Sequence, residues 1–113
     1  MRKLSSVMQN EFAIILTTVD SRESAQKIAH TLVERRLAAC VNIVPGIESV
    51  YRWKGEIESA KELLLVIKTA ADRFEQVREL LIELHSYELP ECVMLKIEQG
   101  SAEYLEWLGE ALM

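Results

Sequence analysis

The sequence predicts a single domain of the α+β class, and two observations support this. Its apolar residues change from strand spacing to helix spacing and back in the order β-α-β-β-α-β, and a short helix follows. Its length of 113 residues suits one domain, and its 50 % hydrophobic content is enough to form a core. Two βαβ units with right-handed crossovers then give a four-stranded antiparallel sheet with both helices on one face, which is the ferredoxin-like sandwich.

The first strand and helix are predicted from residues 12–18 and the segment that follows. The run begins with five apolar residues and ends with two threonines, a composition typical of a strand. Asp20 and Glu23 are three positions apart and resemble a capping box, which predicts the start of a helix. Beyond them, apolar residues recur with helical spacing at Ala25, Ile28, Ala29, Leu32 and Val33.

Residues 38–68 predict a long hairpin of two strands. Pro45 and Gly46 interrupt the first of these strands, so a bend or β-bulge is expected there. Lys54 and Gly55 predict the tight turn between the strands, in which Gly55 supplies a positive φ. Such a hairpin is too long for a compact sandwich of this size, so its tip is expected to project beyond the domain.

The remaining segments supply a second helix, a last strand and an extra C-terminal helix. The helix covers residues 71–84, and Pro90 prevents helix formation before the strand at residues 92–97. Ser101 is suited to cap the C-terminal helix. Residues 1–10 predict a loose polar lead-in that has no apolar core of signal-peptide length. We therefore expect the whole chain to form one domain.

Composition and charge exclude several classes of function. The chain has 13 Lys and Arg residues against 18 Asp and Glu, a net charge of −5, whereas proteins that bind nucleic acid carry a basic face. No apolar run approaches the roughly 20 residues of a spanning helix, and no basic amphipathic stretch indicates membrane binding. Cys40 and Cys92 are the only cysteines, and they are expected to be unpaired and largely buried. These features predict a cytoplasmic protein without nucleic-acid partners or membrane insertion.

Two of the predicted strands are apolar at every position, at residues 12–16 and 63–67. A sheet that carries helices on one face only is expected to alternate apolar and polar residues. We interpret the continuous apolar runs as strands that other subunits of a homo-oligomer cover on the second face. The alternative is a pair of central strands with an exposed apolar face.

The sequence contains no common catalytic motif. It has no glycine-rich dinucleotide fingerprint, no Walker loop, no zinc-protease helix motif and no nucleophile elbow, so we do not predict an enzyme. The most concentrated polar segment begins at His85 and continues through residue 91 with a hydroxyl, a phenol and two carboxylates. One interpretation is the wall of a ligand or metal pocket, and the other is a helix end followed by a polar loop.

Several stretches of the chain together resemble one protein family. They are RLAACVNI at residues 36–43, SVYRWKGEIE at 49–58, LVIKT at 65–69, HSYELPE at 85–91 and YLEWL at 104–108. In this order they are very similar to the CutA divalent-cation tolerance family. The resemblance implies a ferredoxin-like homotrimer whose long hairpins wrap between subunits, with an architecture similar to that of the trimeric PII signalling proteins.

The resemblance also implies a metal site, which this sequence retains only in part. Some bacterial members bind copper through a cysteine at the end of the first strand and two adjacent histidines, and the matching positions here are Thr17, Leu84 and His85. His85 alone is a ligand, whereas stable sites assemble three or four protein ligands. We therefore expect copper or another divalent cation to bind weakly if it binds at all, at His85, with help from Glu88 or Glu91 or from the same loop of a neighbouring subunit.

Three hypotheses about function stay open at this point. The first is a cytoplasmic homotrimer in divalent metal ion tolerance and response. The second is a PII-like sensor that holds a small anion or metabolite in a cleft between subunits. The third is a purely structural or anchoring trimer. The cleft of the second hypothesis is expected to be lined by Trp53, Glu56, Lys68, His85, Tyr87 and Glu91.

Overall fold

A computed structural model describes residues 11–113 of the chain. The strands are β1 (Phe12–Val19), β2 (Cys40–Trp53), β3 (Glu56–Ala70) and β4 (Val93–Lys96). The helices are α1 (Arg22–Glu34), α2 (Phe74–Leu84) and α3 (Ala102–Ala111), and a short 3₁₀ helix at Ala71–Arg73 precedes α2. The polar lead-in predicted for residues 1–10 lies outside the described residues.

The strands form one antiparallel sheet of four in the order β2-β3-β1-β4. The central strands β1 and β3 pair along the whole of β1, from Phe12 with Ala70 to Val19 with Leu63. β2 and β4 are the edge strands. This arrangement, with three helices, confirms the α+β class and the order of elements expected from the sequence.

Some predicted boundaries are wrong by a few residues. α1 begins after Ser21, not Asp20, because the extended backbone of Ser21 aims its side chain at the backbone N–H of Ser24, at 3.1 Å. The second helix opens with a 3₁₀ turn and becomes a regular α-helix only afterwards. The last strand has 4 residues and is shorter than the predicted 92–97, because β1 pairs with it at four positions only.

The hydrophobic core lies between the sheet and the helices α1 and α2. Alternate residues of the central strands point towards these helices, and Ile15, Leu65 and Ile67 are completely buried there. They pack in one cluster with Ile28 of α1 and Leu81 of α2. We call this side of the sheet the helix-covered face.

The opposite side of the sheet, which we call the open face, carries the intervening residues of the same strands. Its central apolar side chains Leu16, Leu64 and Val66 are half-buried. Towards the β4 edge, Val93 is 47 % and Leu95 is 56 % exposed. The continuous apolar runs predicted from the sequence therefore place large apolar side chains on both faces, although the helices α1 and α2 cover only one.

α3 packs at one end of the sheet. Ser101 caps it as predicted, since its side chain accepts a hydrogen bond from the backbone N–H of Tyr104 at 3.4 Å. Leu108 of this helix is completely buried and packs in a second apolar cluster with Phe12 and Ala70. The C-terminal helix thereby closes one end of the domain.

The hairpin of β2 and β3 is irregular where the sequence predicts it. Val44 pairs with Leu64 and Ile47 pairs with Glu62, so β2 holds one more residue than β3 between these two pairs. This is a β-bulge, and Gly46 within it has a φ of 76°, which glycine adopts without strain.

Beyond the bulge the hairpin extends away from the helices. Lys54 and Gly55 form its turn with φ values of 52° and 84°, the pattern of positive φ at both central positions that is typical of tight hairpins. The molecule measures 54 × 25 × 23 Å along its principal axes, so the predicted projection of the tip is confirmed.

Two further sequence predictions concern the thiols and the membrane. Cys40 and Cys92 are free, as predicted, and each is half-buried, which is less than the burial expected. Burial raises the pKa of the Cys92 thiol. Within residues 11–113 no helix has both the length and the apolar character required to cross a membrane.

Candidate functional site

A cavity of about 500 Å³ opens between the outer part of the hairpin and the loop that joins α2 to β4. We call it the hairpin cavity. β2 supplies Ser49, Tyr51 and Trp53 to its lining, and β1 and β3 supply Thr18 and Glu62. The loop supplies the remaining lining residues, which are Ser86, Tyr87, Glu88, Leu89 and Glu91.

The β-bulge determines which side chains of β2 reach this cavity. Paired residues of antiparallel strands point to the same face, and successive residues of a strand alternate between faces. Before the bulge, the even-numbered Val44 lies on the open face because it pairs with Leu64. After the bulge, the odd-numbered Tyr51 and Trp53 occupy that face. The extra residue therefore directs both rings to the side on which Glu62 lies.

Glu62 is the most enclosed carboxylate of the hairpin cavity, with 8 % of its surface exposed. The hydroxyl of Tyr87 donates a hydrogen bond to Glu62 Oε2 at 2.6 Å. Burial raises the pKa of this carboxyl, but hydrogen bonds from Ser49, Tyr87 and Thr18, together with the His85 ring, outweigh burial and hold the pKa below its usual value. Glu62 is therefore an ionised and oriented acceptor at neutral pH.

The charge of Glu62 alters the groups around it. Burial raises the pKa of the Tyr87 phenol well above its usual value, and the hydrogen bond to Glu62 adds to this shift, so Tyr87 stays a donor. Burial and the charge of Glu62 also raise the pKa of Glu91. Glu88 contributes a third carboxylate, and none of the described lining residues is a lysine, arginine or histidine. The hairpin cavity therefore has a negative potential that its own lining does not neutralise.

His85 lies behind Tyr87 and shapes the cavity from outside its lining. The backbone N–H of Tyr87 donates to His85 Nδ1 at 3.1 Å, and His85 Nε2 lies 2.7 Å from the carbonyl oxygen of Thr18. These contacts assign the ring proton to Nε2, which donates to that carbonyl. The two rings also contact each other, with centroids 4.6 Å apart. His85 thus joins the loop to the end of β1 and positions Tyr87.

The structure brings together some of the residues predicted for a ligand cleft and separates others. Trp53, Tyr87 and Glu91 line the hairpin cavity. Glu56 does not line it, because it pairs with Trp53 next to the turn at the projecting tip. Lys68 lies elsewhere on the open face, with its Nζ 5.9 Å from the centroid of the Tyr104 ring.

Sequence reasoning missed several lining residues, among them Tyr51 and Glu62. Tyr51 lies in a strand that the sequence predicts, but the face that it occupies depends on the bulge. Glu62 stands at the boundary of an apolar run, and a boundary carboxylate is ordinarily solvated. One sequence signal could have indicated the face that Tyr51 occupies. It is the interruption at Pro45 and Gly46, followed by alternation of apolar and polar residues along the strand.

The donor set at the expected copper position fits a metal poorly. Thr17 Oγ1 is buried and finds no hydrogen-bond partner among the described residues, and Leu84 offers no donor atom. Both ring nitrogens of His85 are engaged in hydrogen bonds. Within residues 11–113 no group of three or more His, Cys, Asp or Glu side chains is placed to hold a metal ion. A metal at His85 therefore has to displace an existing hydrogen bond.

The fold and this site define a class of protein: an α+β domain with an extended hairpin and an acidic, aromatic cavity at the base of the projecting part. The family model described as CutA1 divalent ion tolerance protein matches residues 13–111. The chain therefore belongs to this family, as the motifs at residues 49–58 and 85–91 predicted.

Curated relatives support the same assignment. The chain is 53 % identical over 97 residues to the divalent-cation tolerance protein CutA of Thermus thermophilus. The aligned region covers 86 % of this chain and 94 % of that protein. It is 48 % identical over 95 residues to the chloroplastic protein CutA of Arabidopsis thaliana, which covers 84 % of this chain. The chain spans about half of the plant protein, 52 % of its length.

Solved structures of relatives share the fold. The divalent cation tolerance protein of Thermus thermophilus aligns with a TM-score of 0.84 at 52 % identity, covering 86 % of this chain and 94 % of its own. The structure described as the periplasmic divalent cation tolerance protein CutA from Archaeoglobus fulgidus aligns with a TM-score of 0.87 at 40 % identity. The alignment covers 90 % of this chain and 99 % of that chain.

Proposed function

We propose that this chain works as a homotrimeric binding protein in the response to divalent metal ions, with no catalytic cycle of its own. Membership of the divalent-cation tolerance family supports the metal response. The observation that carries the binding role is the hairpin cavity, in which Tyr87 orients the buried, ionised Glu62. The sequence carries none of the common catalytic motifs, and for this reason we propose binding and not catalysis.

The open face supports the homotrimer. Leu16, Leu64 and Val66 form an apolar centre there, and exposed Val93 and Leu95 continue it to the β4 edge. An apolar sheet face of this kind indicates an interface, because burying it removes large apolar side chains from water. The projecting hairpin gives each subunit a segment long enough to reach across a neighbour.

Sedimentation equilibrium tests the trimer. The wild-type chain is expected at three times its mass of 12.9 kDa. Val66→Lys places a charge at the centre of the open face and is expected to give the monomer mass. The control Ile82→Lys adds the same charge on α2, at a side chain that is 56 % exposed, and is expected to stay trimeric. A wild-type chain that is folded and monomeric at micromolar concentration would overturn the trimer.

The proposal includes a weak divalent-cation site at His85. With one imidazole and no thiolate, we expect a dissociation constant for Cu²⁺ of ~10⁻⁴ M or weaker. Calorimetric titration of the trimer with Cu²⁺ is expected to show this binding in the wild type and in His30→Ala, whose ring is exposed on α1, and to lose it in His85→Ala. Submicromolar binding that survives His85→Ala would place the metal elsewhere.

We also propose a cytoplasmic location, which the two free cysteines support because disulfides are rare in that compartment. Relatives carry other descriptions, chloroplastic for the Arabidopsis thaliana protein and periplasmic for the Archaeoglobus fulgidus structure. Cell fractionation of the native host with an antibody to this chain tests the location, and recovery outside the cytoplasmic fraction would contradict it.

A further inference from the structure

We propose that the hairpin cavity binds an organic ammonium ion, held between its aromatic rings and its carboxylates. The inference deepens the binding role proposed above, on which it rests, by naming the chemical class of the ligand. It does not concern the metal site at His85, and it uses the outer part of the open face, where Tyr51, Trp53 and Glu62 lie beyond the apolar centre. Three properties of the cavity support it, which are charge, aromatic surface and size.

Charge selects a cation. Glu62, Glu88 and Glu91 line the cavity, and none of the described lining residues carries a positive charge. Glu62 is ionised and 8 % exposed, so its charge acts where water screens poorly. Burial raises the pKa of Glu91, and the charge of Glu62 raises it further, so the two carboxylates repel each other. A small anion, one of the two ligand types in the second hypothesis from the sequence, would meet repulsion here.

Aromatic surface selects an organic cation over a metal ion. Tyr51, Trp53 and Tyr87 all line the cavity, and aromatic faces attract ammonium groups through their quadrupole. The chain itself shows this preference, because Lys54 Nζ lies 5.7 Å from the centroid of the Trp53 ring. A divalent metal instead requires several converging ligands, and residues 11–113 hold no group of three His, Cys, Asp or Glu side chains placed to bind one.

Size fits a small organic molecule. A volume of about 500 Å³ lies within the range of small-molecule sites and far exceeds the space that one metal ion occupies. Leu89 adds an apolar side chain to the lining and is 72 % exposed, so it offers contact to the uncharged body of a ligand. The occupant that matches all three properties is an ammonium group on an apolar or hydroxylated body.

The test compares two probes of nearly equal shape that differ in charge. Choline carries a quaternary ammonium, and 3,3-dimethylbutan-1-ol replaces the charged nitrogen by carbon. Calorimetric titration of the full chain, to about 10 mM of each probe, is expected to show choline binding and at least about tenfold weaker binding of the alcohol. Spermidine, acetate and Mg²⁺ are titrated in parallel, and only spermidine is expected to bind at this cavity.

Matched variants locate the binding. Trp53→Leu is expected to weaken choline binding about 3- to 30-fold, the range of a cation–π contact, and Glu62→Gln is expected to weaken it at least as much. The control Trp107→Leu removes a ring that is 46 % exposed on α3 and lies outside the lining, and is expected to leave affinity unchanged. Lys54→Met removes the ammonium near Trp53 and is expected to leave choline affinity equal or higher.

Three results would overturn the proposal. These are equal affinity for choline and the alcohol, unchanged choline affinity in both Trp53→Leu and Glu62→Gln, and no binding of choline or spermidine to the folded wild type. Acetate or Mg²⁺ bound in the cavity in place of choline would leave the binding role standing and refute the ligand class. Choline bound to a chain that sediments as a monomer would instead refute the trimer and leave this inference intact.

Discussion

The two halves of the β2–β3 hairpin have the same strand pairing and opposite surroundings. The inner half, residues 40–44 with 64–68, lies under the helices, and its Leu65 and Ile67 are completely buried. The outer half, residues 47–53 with 56–62, extends past the helices, and its Ile57 is 70 % exposed. The difference shows that the inner half contributes to the core of the domain, whereas the outer half is free to carry a binding site.

The outer half has few means of staying ordered by itself. An isolated two-stranded hairpin is marginally stable in water. Its base is fixed by the bulge and by Glu62, which connects the hairpin to the loop through Tyr87, and its tip is fixed by the turn at Lys54 and Gly55. We therefore expect substitutions in the inner half to change stability more than substitutions in the outer half.

The largest effect is expected for a truncation in the inner half. Leu65→Ala leaves a cavity in the core and is expected to cost about 2–5 kcal/mol of unfolding free energy. The control Ile57→Ala removes an exposed side chain of the outer half and is expected to stay within about 0.5 kcal/mol. Denaturant unfolding at one fixed protein concentration measures both. A large loss at Ile57 would show that a partner subunit buries this side chain.

The next effect is expected at the connection between hairpin and loop. Glu62→Gln removes the charge that accepts the 2.6 Å hydrogen bond from Tyr87, and is expected to cost about 1–3 kcal/mol at neutral pH. Because the folded state lowers the pKa of Glu62 from 4.5, its contribution is complete above that pH and is lost as the pH falls through the lowered value.

Unfolding of the wild type and Glu62→Gln between pH 7 and pH 2 checks this dependence. The difference in unfolding free energy between the two proteins is expected to shrink in acid. Glu58→Gln on the same strand is the control, since this side chain is exposed and its substitution is expected to leave the unfolding free energy nearly unchanged. A constant difference over the whole pH range would contradict the role of the ionised carboxylate.

These residues also show how far the sequence alone leads. The apolar runs, the bulge at Pro45 and Gly46 and the turn at Lys54 and Gly55 are local signals, so the fold and the hairpin are predictable. The contact of Tyr87 with Glu62 joins positions 25 apart and depends on register and loop path. Local patterns do not encode that geometry, so from the sequence Glu62 is only the polar end of an apolar run, with its partner undetermined.

A smaller effect of opposite sign is expected at Glu91. Burial and the charge of Glu62 raise the pKa of Glu91, so the ionised form is unfavourable in the folded state. Glu91→Gln is expected to stabilise the protein at neutral pH by less than about 1 kcal/mol, because the side chain is only partly enclosed and the water that it still contacts screens the repulsion. The gain is expected to vanish below pH 4.5, where the wild-type carboxyl is protonated in both states. Destabilisation at neutral pH would contradict the repulsion.

The smallest effect is expected at the tip of the outer half. Lys54 has a φ of 52°, a conformation that asparagine adopts more readily than lysine, and Asn-Gly is a favoured pair in tight hairpin turns. Lys54→Asn is expected to stabilise the chain by a few tenths of a kcal/mol, measured by denaturant unfolding. The control is Lys61→Asn on the same hairpin. Its backbone is regular strand, so asparagine is expected to be unfavourable there. If Lys54→Asn is the more destabilising of the two, the cation–π contact of Lys54 with Trp53 contributes more than the turn, and the tip is held by its side chains.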